Sequence, residues 1–336
     1  MGEPPGKDRG RIWYGLLSAA LAGVLLYYSL RGVEWARVWT TITHARWQFL
    51  VAAGLTSCCS YFLRSYRWRI LLNTDAYFDV LTVFIANMAG YLGNNFLPAR
   101  AGEFVRSYII SKNSSLSKTY VLTTALSERM VDAIALVLAS SVVLLGVNPK
   151  PAWLGDVSRT TATMAGVGLL VIAIVPHTGD LVERLLRRVP MPAGLRHRLL
   201  ELAAQILLGL RTLHSPTRLA GFAFLTVVVW SIDCVSVMLG THALGIDLSF
   251  PVALLLLAGM GLGSALPSTP GYVGIYQFVT VSILTPFGVR HDDALAYSFV
   301  TQAMGYALVL VLGLPGLYRF KDWRQAIREA APASAE

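Results

Sequence analysis

FDVLTVFIANMAGYLGNNFLPARAGEFVRSYIIS, residues Phe78–Ser111, decides how this chain folds. Roughly 20 residues, rising about 1.5 Å each, cross about 30 Å of hydrocarbon as a helix. This stretch is longer than one span and is interrupted by LPARAGE at Leu97–Glu103. Proline removes a backbone donor and disfavours helix in the residue before it. The stretch therefore predicts two half-helices meeting at an irregular turn, a re-entrant hairpin. Such backbone persists at membrane depth only when it is buried in protein or lines a wet cavity. A second stretch, Phe250–Phe287, repeats the pattern around LPSTPGY at Leu266–Tyr272.

Working outward, uninterrupted apolar blocks predict full spans at Ile12–Leu30, Trp47–Leu63, Thr119–Val147, Thr161–Val175, Leu219–Leu244 and Leu295–Tyr318. Composition agrees. Hydrophobic residues make up 55% of the chain and charged residues 14%, against about 25% charged in soluble domains. The expected class is an all-α integral membrane protein with six full transmembrane helices and two re-entrant hairpins. It forms a single membrane domain over 1–336, with short polar tails at 1–11 and 319–336. Lys7, Arg9 and Arg11 precede the first apolar block and no A-x-A-like site follows it, so that block is expected to be a retained signal anchor. The formal net charge of +9 does not indicate nucleic acid, because the basic residues sit between apolar blocks, where they set topology and meet lipid headgroups. Cys58, Cys59 and Cys234 lie inside spans without metal-ligand spacing and are expected to be packing residues.

If the N-terminus is cytoplasmic and both hairpins return to the side they entered from, nineteen Lys and Arg fall on cytoplasmic segments. Only Arg31, Arg37, Arg46, Lys150, Arg159 and Arg290 fall outside. Both termini are then cytoplasmic, in a multi-pass inner-membrane protein. The two hairpins enter from opposite faces, each within a span–hairpin–span set, about 47–147 and about 219–318. Their turns share Leu-Pro-x-x-x-Gly, at Leu97, Pro98 and Gly102 and at Leu266, Pro267 and Gly271. Together these features suggest an inverted-topology repeat, whose broken helices would meet at a midplane site. The bland alternative is two unrelated Pro-Gly turns. Residues 179–213 alternate leucines at helical spacing with Arg184, Arg187, Arg188, Arg196 and Arg198, predicting a cytoplasmic amphipathic hairpin whose plainer role is to anchor the inner leaflet.

Ionisable groups inside spans are costly and are functional candidates by default. Arg100, Glu103 and Arg106 follow the first break, three residues apart. Glu128, Arg129 and Asp132 lie in the following span, with Glu128 and Asp132 one turn apart. Asp233 sits mid-span beside Trp230 and Ser236. Ser268, Thr269, Gly271, Tyr272 and Gln277 surround the second break. Arginine forks suit phosphate, and a half-helix N-terminus offers free N–H groups to an anion. The alternative role of the first two clusters is a salt-bridge network joining spans, with Arg100 and Arg106 paired to Glu128 and Asp132. Arg64, Arg67 and Arg69, at the expected end of the second span, need no more than snorkelling to lipid phosphates. No G-x-S-x-G, H-E-x-x-H or P-loop is present, and the histidines share no ligand spacing. No catalytic residue, metal or cofactor is therefore expected. Gly259, Gly261 and Gly263 fit close helix packing.

LPARAGEFVRSYII at Leu97–Ile110, SERMVD at Ser127–Asp132 and PSTPGYVGIYQ at Pro267–Gln277 resemble signature segments of the lysylphosphatidylglycerol synthase transmembrane-region family. This flippase-like domain is also found at the N-terminus of multiple-peptide-resistance proteins. The resemblance runs from about Ile12 to Tyr318. Pro98, Gly102, Glu103, Arg106, Glu128, Arg129, Asp132, Pro270, Gly271 and Gly274 match the family pattern. At Gln277 members often carry an acidic residue, so this chain departs from the pattern there. Larger relatives append a soluble aminoacyl-transfer domain. The sequence in hand ends soon after Tyr318, so the resemblance implies lipid translocation without lipid aminoacylation. The expected function is a non-enzymatic, flippase-like transporter of an anionic phospholipid or isoprenoid-phosphate headgroup. The alternatives are an accessory subunit presenting lipid to a glycosyltransferase or lipid synthase, and an intramembrane lipid-modifying enzyme. Expected partners are the lipid, a second copy of the chain or such a synthase, and not nucleic acid.

Overall fold

The computed structural model describes residues 6–72, 77–97, 101–146, 216–264 and 270–319, with the isolated helical positions Thr160, Thr163, Gly166 and Leu200. Among them there are ten α-helices and no strand: α1 Gly6–Leu30, α2 Trp35–Thr43, α3 Trp47–Leu72, α4 Val80–Phe96, α5 Gly102–Lys112, α6 Lys118–Gly146, α7 Pro216–Ala243, α8 Phe250–Ser264, α9 Ile275–Leu284 and α10 His291–Arg319. Short 3₁₀ turns at Pro270–Tyr272 and Thr285–Phe287 flank α9.

Each apolar stretch broken by proline and glycine gives two helices, α4 with α5 and α8 with α9. The expected spans at Thr119–Val147, Leu219–Leu244 and Leu295–Tyr318 correspond to α6, α7 and α10 within a few residues. The span at Thr161–Val175 and the amphipathic segment at 179–213 lie outside the described residues, apart from single positions. Two described helices are both long and apolar enough to cross a bilayer by length and composition, over Thr217–Ala243 and His291–Gly316. Helices α3 and α6 are equally long, at 26 and 29 residues, but carry charged side chains.

One expectation needs correction. The helix that begins at Trp47 does not stop at Leu63. Helix α3 continues to Leu72, because its arginines have partners inside the protein and need not mark a water boundary. Between α1 and α3 the structure adds a short helix that the sequence analysis did not place: Trp35, Val38, Trp39 and Ile42 at helical spacing form α2, which buries Val38 against Leu295 and Ala296 of α10.

The distribution of side chains is inverted relative to a water-soluble protein. Leu55, Val142, Phe224, Val227 and Val311 are exposed on long helices, whereas Arg67, Arg106, Glu128 and Asp132 are buried. Burying a charge requires paired, hydrogen-bonded groups, and large exposed apolar surface requires an apolar surrounding.

The chain divides into two compact units. Unit 1 comprises Met1–Tyr61, Asn87–Val105 and Trp230–Glu336; unit 2 comprises Phe62–Ala86 and Arg106–Val229. The division falls inside α3, α4, α5 and α7. In unit 1, a core of Leu244, Ile246, Val252, Leu256, Leu284, Ala294 and Tyr297 joins the end of α7 to α8, α9 and α10. Helices α8 and α9 approach closely at two of the expected glycines. A Cβ at Gly263 would lie 3.0 Å from Ile275 and 3.1 Å from Val279, and one at Gly259 would meet Ile283. Helices α4 and α5 are equally tight: a Cβ on Gly93 would lie 2.9 Å from the Gly102 Cα. In unit 2, Trp68, Leu71 and Leu72 at the end of α3 and Ile109 and Ile110 of α5 are all buried.

Candidate functional site

Helix α5 is short and polar, yet all of its residues except Phe104 and Lys112 are buried. Its N-terminus follows the first break. Asn94 of α4 caps it from the side, its Oδ1 accepting from the Gly102 N–H at 3.0 Å, while its Nδ2 lies 3.5 Å from Glu103 Oε1. The first N–H of α5 is therefore already engaged, and an acidic side chain occupies the first turn, where the helix dipole favours it.

One turn on, Arg106 opens a lattice of charges contained in unit 2. Arg106 Nη1 donates to Glu128 Oε2 at 3.0 Å and Nη2 to the Ala125 carbonyl at 3.4 Å. Its guanidinium lies over the Trp68 ring, 4.4 Å from the centroid, and Trp68 Nε1 donates to Thr124 Oγ1 at 3.1 Å. The other oxygen of Glu128 accepts from Arg67 Nη2 at 2.9 Å. Arg67 also forks onto Asp132, Nη1 to Oδ1 at 2.6 Å and Nη2 to Oδ2 at 2.8 Å. Its Nη1 further donates to Thr226 Oγ1 at 3.0 Å, and Phe222 stacks beneath it at 4.8 Å. Arg64 lies 3.6 Å from Asp132 Oδ2. Glu128 thus bridges two arginines, and Asp132 is gripped by a bidentate fork, the strongest geometry of an arginine–carboxylate pair. The Arg67 side chain is 0% exposed, and its buried Nε–H has no hydrogen-bond partner among the described residues. Arg129 is half-buried and close enough to Asp132 to act on it electrostatically.

The expected pairing of Arg106 with Glu128 is present. Asp132 pairs instead with Arg67 and Arg64, which sequence reasoning had assigned to snorkelling. That assignment is corrected: a side chain with no exposure and two carboxylate partners does not reach a lipid phosphate. A signal was available, because Arg64 and Arg67 stand one turn apart in a helix that also carries Trp68, but their partners lie far along the chain.

Unit 1 holds a second buried network at the other break. Gly271 (φ +74°), Tyr272 (φ +60°) and Gly274 (φ +87°) place three left-handed residues within four positions. A tyrosine there costs about 1–3 kcal/mol and persists only where its surroundings enforce it. The surroundings do so. Gln277 Oε1 accepts from the Gly274 N–H at 2.8 Å, and its Nε2 donates to Gln302 Oε1 at 2.6 Å. Gln302 Nε2 donates to the Gly271 carbonyl at 2.8 Å and to Tyr306 Oη at 2.9 Å, and the Tyr306 hydroxyl donates to the same carbonyl. Gln302 and Tyr306, one turn apart on α10, were missed by sequence reasoning, although two hydrogen-bonding groups inside an apolar span are a usable signal.

Asp233 is half-buried on α7, in unit 1, one turn before Ser236, whose Oγ lies 2.9 Å from Ser57 Oγ. Arg100, Ser268 and Thr269 lie outside the described residues. Among the described residues no cluster of three His, Cys, Asp or Glu side chains is arranged to hold a metal ion.

The profile of the family described as Lysylphosphatidylglycerol synthase TM region matches residues 15–313. A protein named Glycosyltransferase AglD, from Haloferax volcanii, is 25% identical over 338 residues, covering 89% of this chain and 53% of that protein. The chain thus spans about half the length of that relative. A UPF0104 membrane protein from Methanothermobacter thermautotrophicus is 20% identical over 294 residues, covering 83% of this chain and 85% of its own length.

Proposed function

The chain belongs to the lysylphosphatidylglycerol synthase transmembrane-region family, and we propose that it is a flippase-like transporter passing an anionic or isoprenoid-phosphate lipid headgroup across the cytoplasmic membrane. One observation carries the reading: a fully buried guanidinium, Arg67, held by two carboxylates with its Nε–H unused. A buried orphan donor costs about 1–3 kcal/mol unless something else uses it. The fork that grips Asp132 is also the fork that grips a phosphate. In this reading Asp132 and Glu128 are resting counter-ions. The headgroup phosphate replaces one of them on Arg67 or Arg106, and the displaced carboxylate turns to Arg64 or Arg129.

Within this proposal α4–α5 and α8–α9 are re-entrant hairpins of an inverted repeat, set among six full spans with both termini cytoplasmic. Arg100 and Glu103 near the first break, and Ser268, Thr269, Gly271, Tyr272 and Gln277 near the second, are further candidate residues for the headgroup in this reading, Arg100 by its charge and the others by their polar or backbone groups. Asp233 is a further polar station. The transport involves no covalent step and no metal or cofactor. The test is headgroup movement by the pure protein in liposomes; a protein that leaves the lipid distribution unchanged is not the transporter.

The accessory reading has one observation in its favour. A relative named a glycosyltransferase is about twice as long as its match to this chain, so a lipid-presenting membrane part could serve a separate transferase. Retained lipid without transport in liposomes, together with stimulation of a co-purified transferase, would favour that reading.

A further inference from the structure

One end of unit 1 is closed by a polar collar. The Glu34 N–H donates to Asp292 Oδ1 at 3.1 Å, and Arg37 grips Asp293 through Nε at 3.3 Å and Nη2 at 3.1 Å. Thr41 Oγ1 donates to the same Asp293 carboxylate at 2.9 Å. His291 Nε2 lies 2.7 Å from the Ser29 carbonyl oxygen. The Arg46 N–H donates to the Ala243 carbonyl at 2.8 Å, and His242 Nδ1 lies 2.6 Å from Asp247 Oδ1. These bonds gather the last turn of α1, all of α2, the first turns of α3 and α10 and the last turn of α7.

The collar is neutral. Its connecting segments, 31–46, 244–249 and 288–293, contain four arginines and four carboxylates, in a chain of formal net charge +9. It is also rimmed with aromatics. Helix α2 has nine residues, about 14 Å of helix, too short to cross a bilayer. Its inner face buries Val38. Beside that buried stripe stand Trp35 and Trp39, one turn apart and 55% and 68% exposed, with Trp35 also stacked on the Phe299 ring of α10 at 6.5 Å. Trp47, which opens α3, is 68% exposed, and Tyr27 and Tyr28 at the end of α1 are 62% and 57% exposed. Aromatic side chains with a polar edge collect where apolar helices end at a membrane surface, because headgroup depth satisfies both the ring and its N–H or O–H.

We propose that this collar is a membrane-interface surface in which α2 lies among the lipid headgroups, holding the chain in register through Trp35, Trp39 and Trp47. Because the collar is neutral, its partner is the interfacial layer of any phospholipid bilayer and not an anionic headgroup in particular. The proposal does not depend on the transport reading.

The test uses the full chain in phosphatidylcholine vesicles whose acyl chains carry bromine at shallow or at deep positions. The difference in emission between wild type and Trp39→Phe isolates Trp39; at 68% exposure the exchange leaves packing intact. The shallow label should quench Trp39 most and the deep label least, as expected for a ring seated about 5–10 Å into the boundary. Replacing part of the phosphatidylcholine with phosphatidylglycerol, or raising the salt, should leave the order and extent unchanged. Strongest quenching by the deep label, or quenching by aqueous iodide without quenching by either lipid label, overturns the interfacial placement. A rise in lipid quenching with phosphatidylglycerol that salt abolishes overturns the non-ionic partner.

Discussion

The two buried polar networks are built from opposite chemistry. In unit 2, three arginines and two carboxylates on α3, α5 and α6 satisfy one another by charge. In unit 1, two glutamines and a tyrosine on α9 and α10 satisfy one another as neutral groups, Gln302 and Tyr306 converging on the Gly271 carbonyl and Gln277 holding the Gly274 N–H. The neutral network fixes backbone: it holds three left-handed residues in place and offers no net charge to a ligand. The charged network fixes side chains, and each carboxylate in it can in principle be exchanged for another anion. Two breaks with the same Leu-Pro-x-x-x-Gly spacing are thus flanked by different devices.

The contrast can be broken by mutation, and the charged network should respond most. Asp132→Ala strands Arg67 in a buried site, where losing one partner of an ion pair costs about 3–5 kcal/mol. It should give the largest fall in thermal stability of the purified protein in detergent. A loss no larger than that of an exposed leucine would mean that Arg67 finds water. Glu128→Ala should cost nearly as much, because two arginines lose a partner. Adding Arg106→Met should then cost less than it does alone, with a coupling of about 0.5–3 kcal/mol; additive losses would show that the two groups do not interact.

Gly271→Ala should come next, at about 2–4 kcal/mol, from the left-handed backbone and from a Cβ placed against the Tyr306 hydroxyl. Filling the space at Gly271 thus acts by collision with α10, a partner that the sequence did not identify. Tyr306→Phe should cost less in the Gly271→Ala background than in wild type, since it removes the atom in the way. Equal costs in both backgrounds would exclude that collision. Gln302→Ala should be the mildest of these changes, about 1–3 kcal/mol, because it strands the Gln277 amide but leaves Tyr306 on the Gly271 carbonyl.

Much of the fold was legible because it follows from local rules. Helix lengths track apolar block lengths, and Pro98 and Pro267 mark breaks because proline cannot continue the hydrogen-bond ladder. Glu128, Asp132 and Arg106 were legible as a group because charges in apolar helices must meet. Arg67 was not, because its position near the expected end of a span made water the simpler partner. Its true partner is 65 residues away, at a contact set by tertiary packing. Gln302 and Tyr306 were passed over for a related reason: neutral polar groups give a weaker signal than charges, and their target is a backbone carbonyl invisible in sequence. Helix α2 was not placed because a nine-residue apolar stripe is too short to mark a span, and only α10 supplies the surface that buries Val38.

In the proposed transport, the charged network handles a lipid phosphate through arginine forks. The most direct test is headgroup translocation in proteoliposomes by Arg106→Lys, with folding checked by size-exclusion profile. Lysine keeps the charge facing Glu128 but loses the fork. The expected result is a folded protein that has lost most of its transport, with Arg106→Ala losing more. A folded Arg106→Lys and a folded Arg106→Ala that both move lipid at the wild-type rate would contradict it and leave the network a purely structural joint between helices.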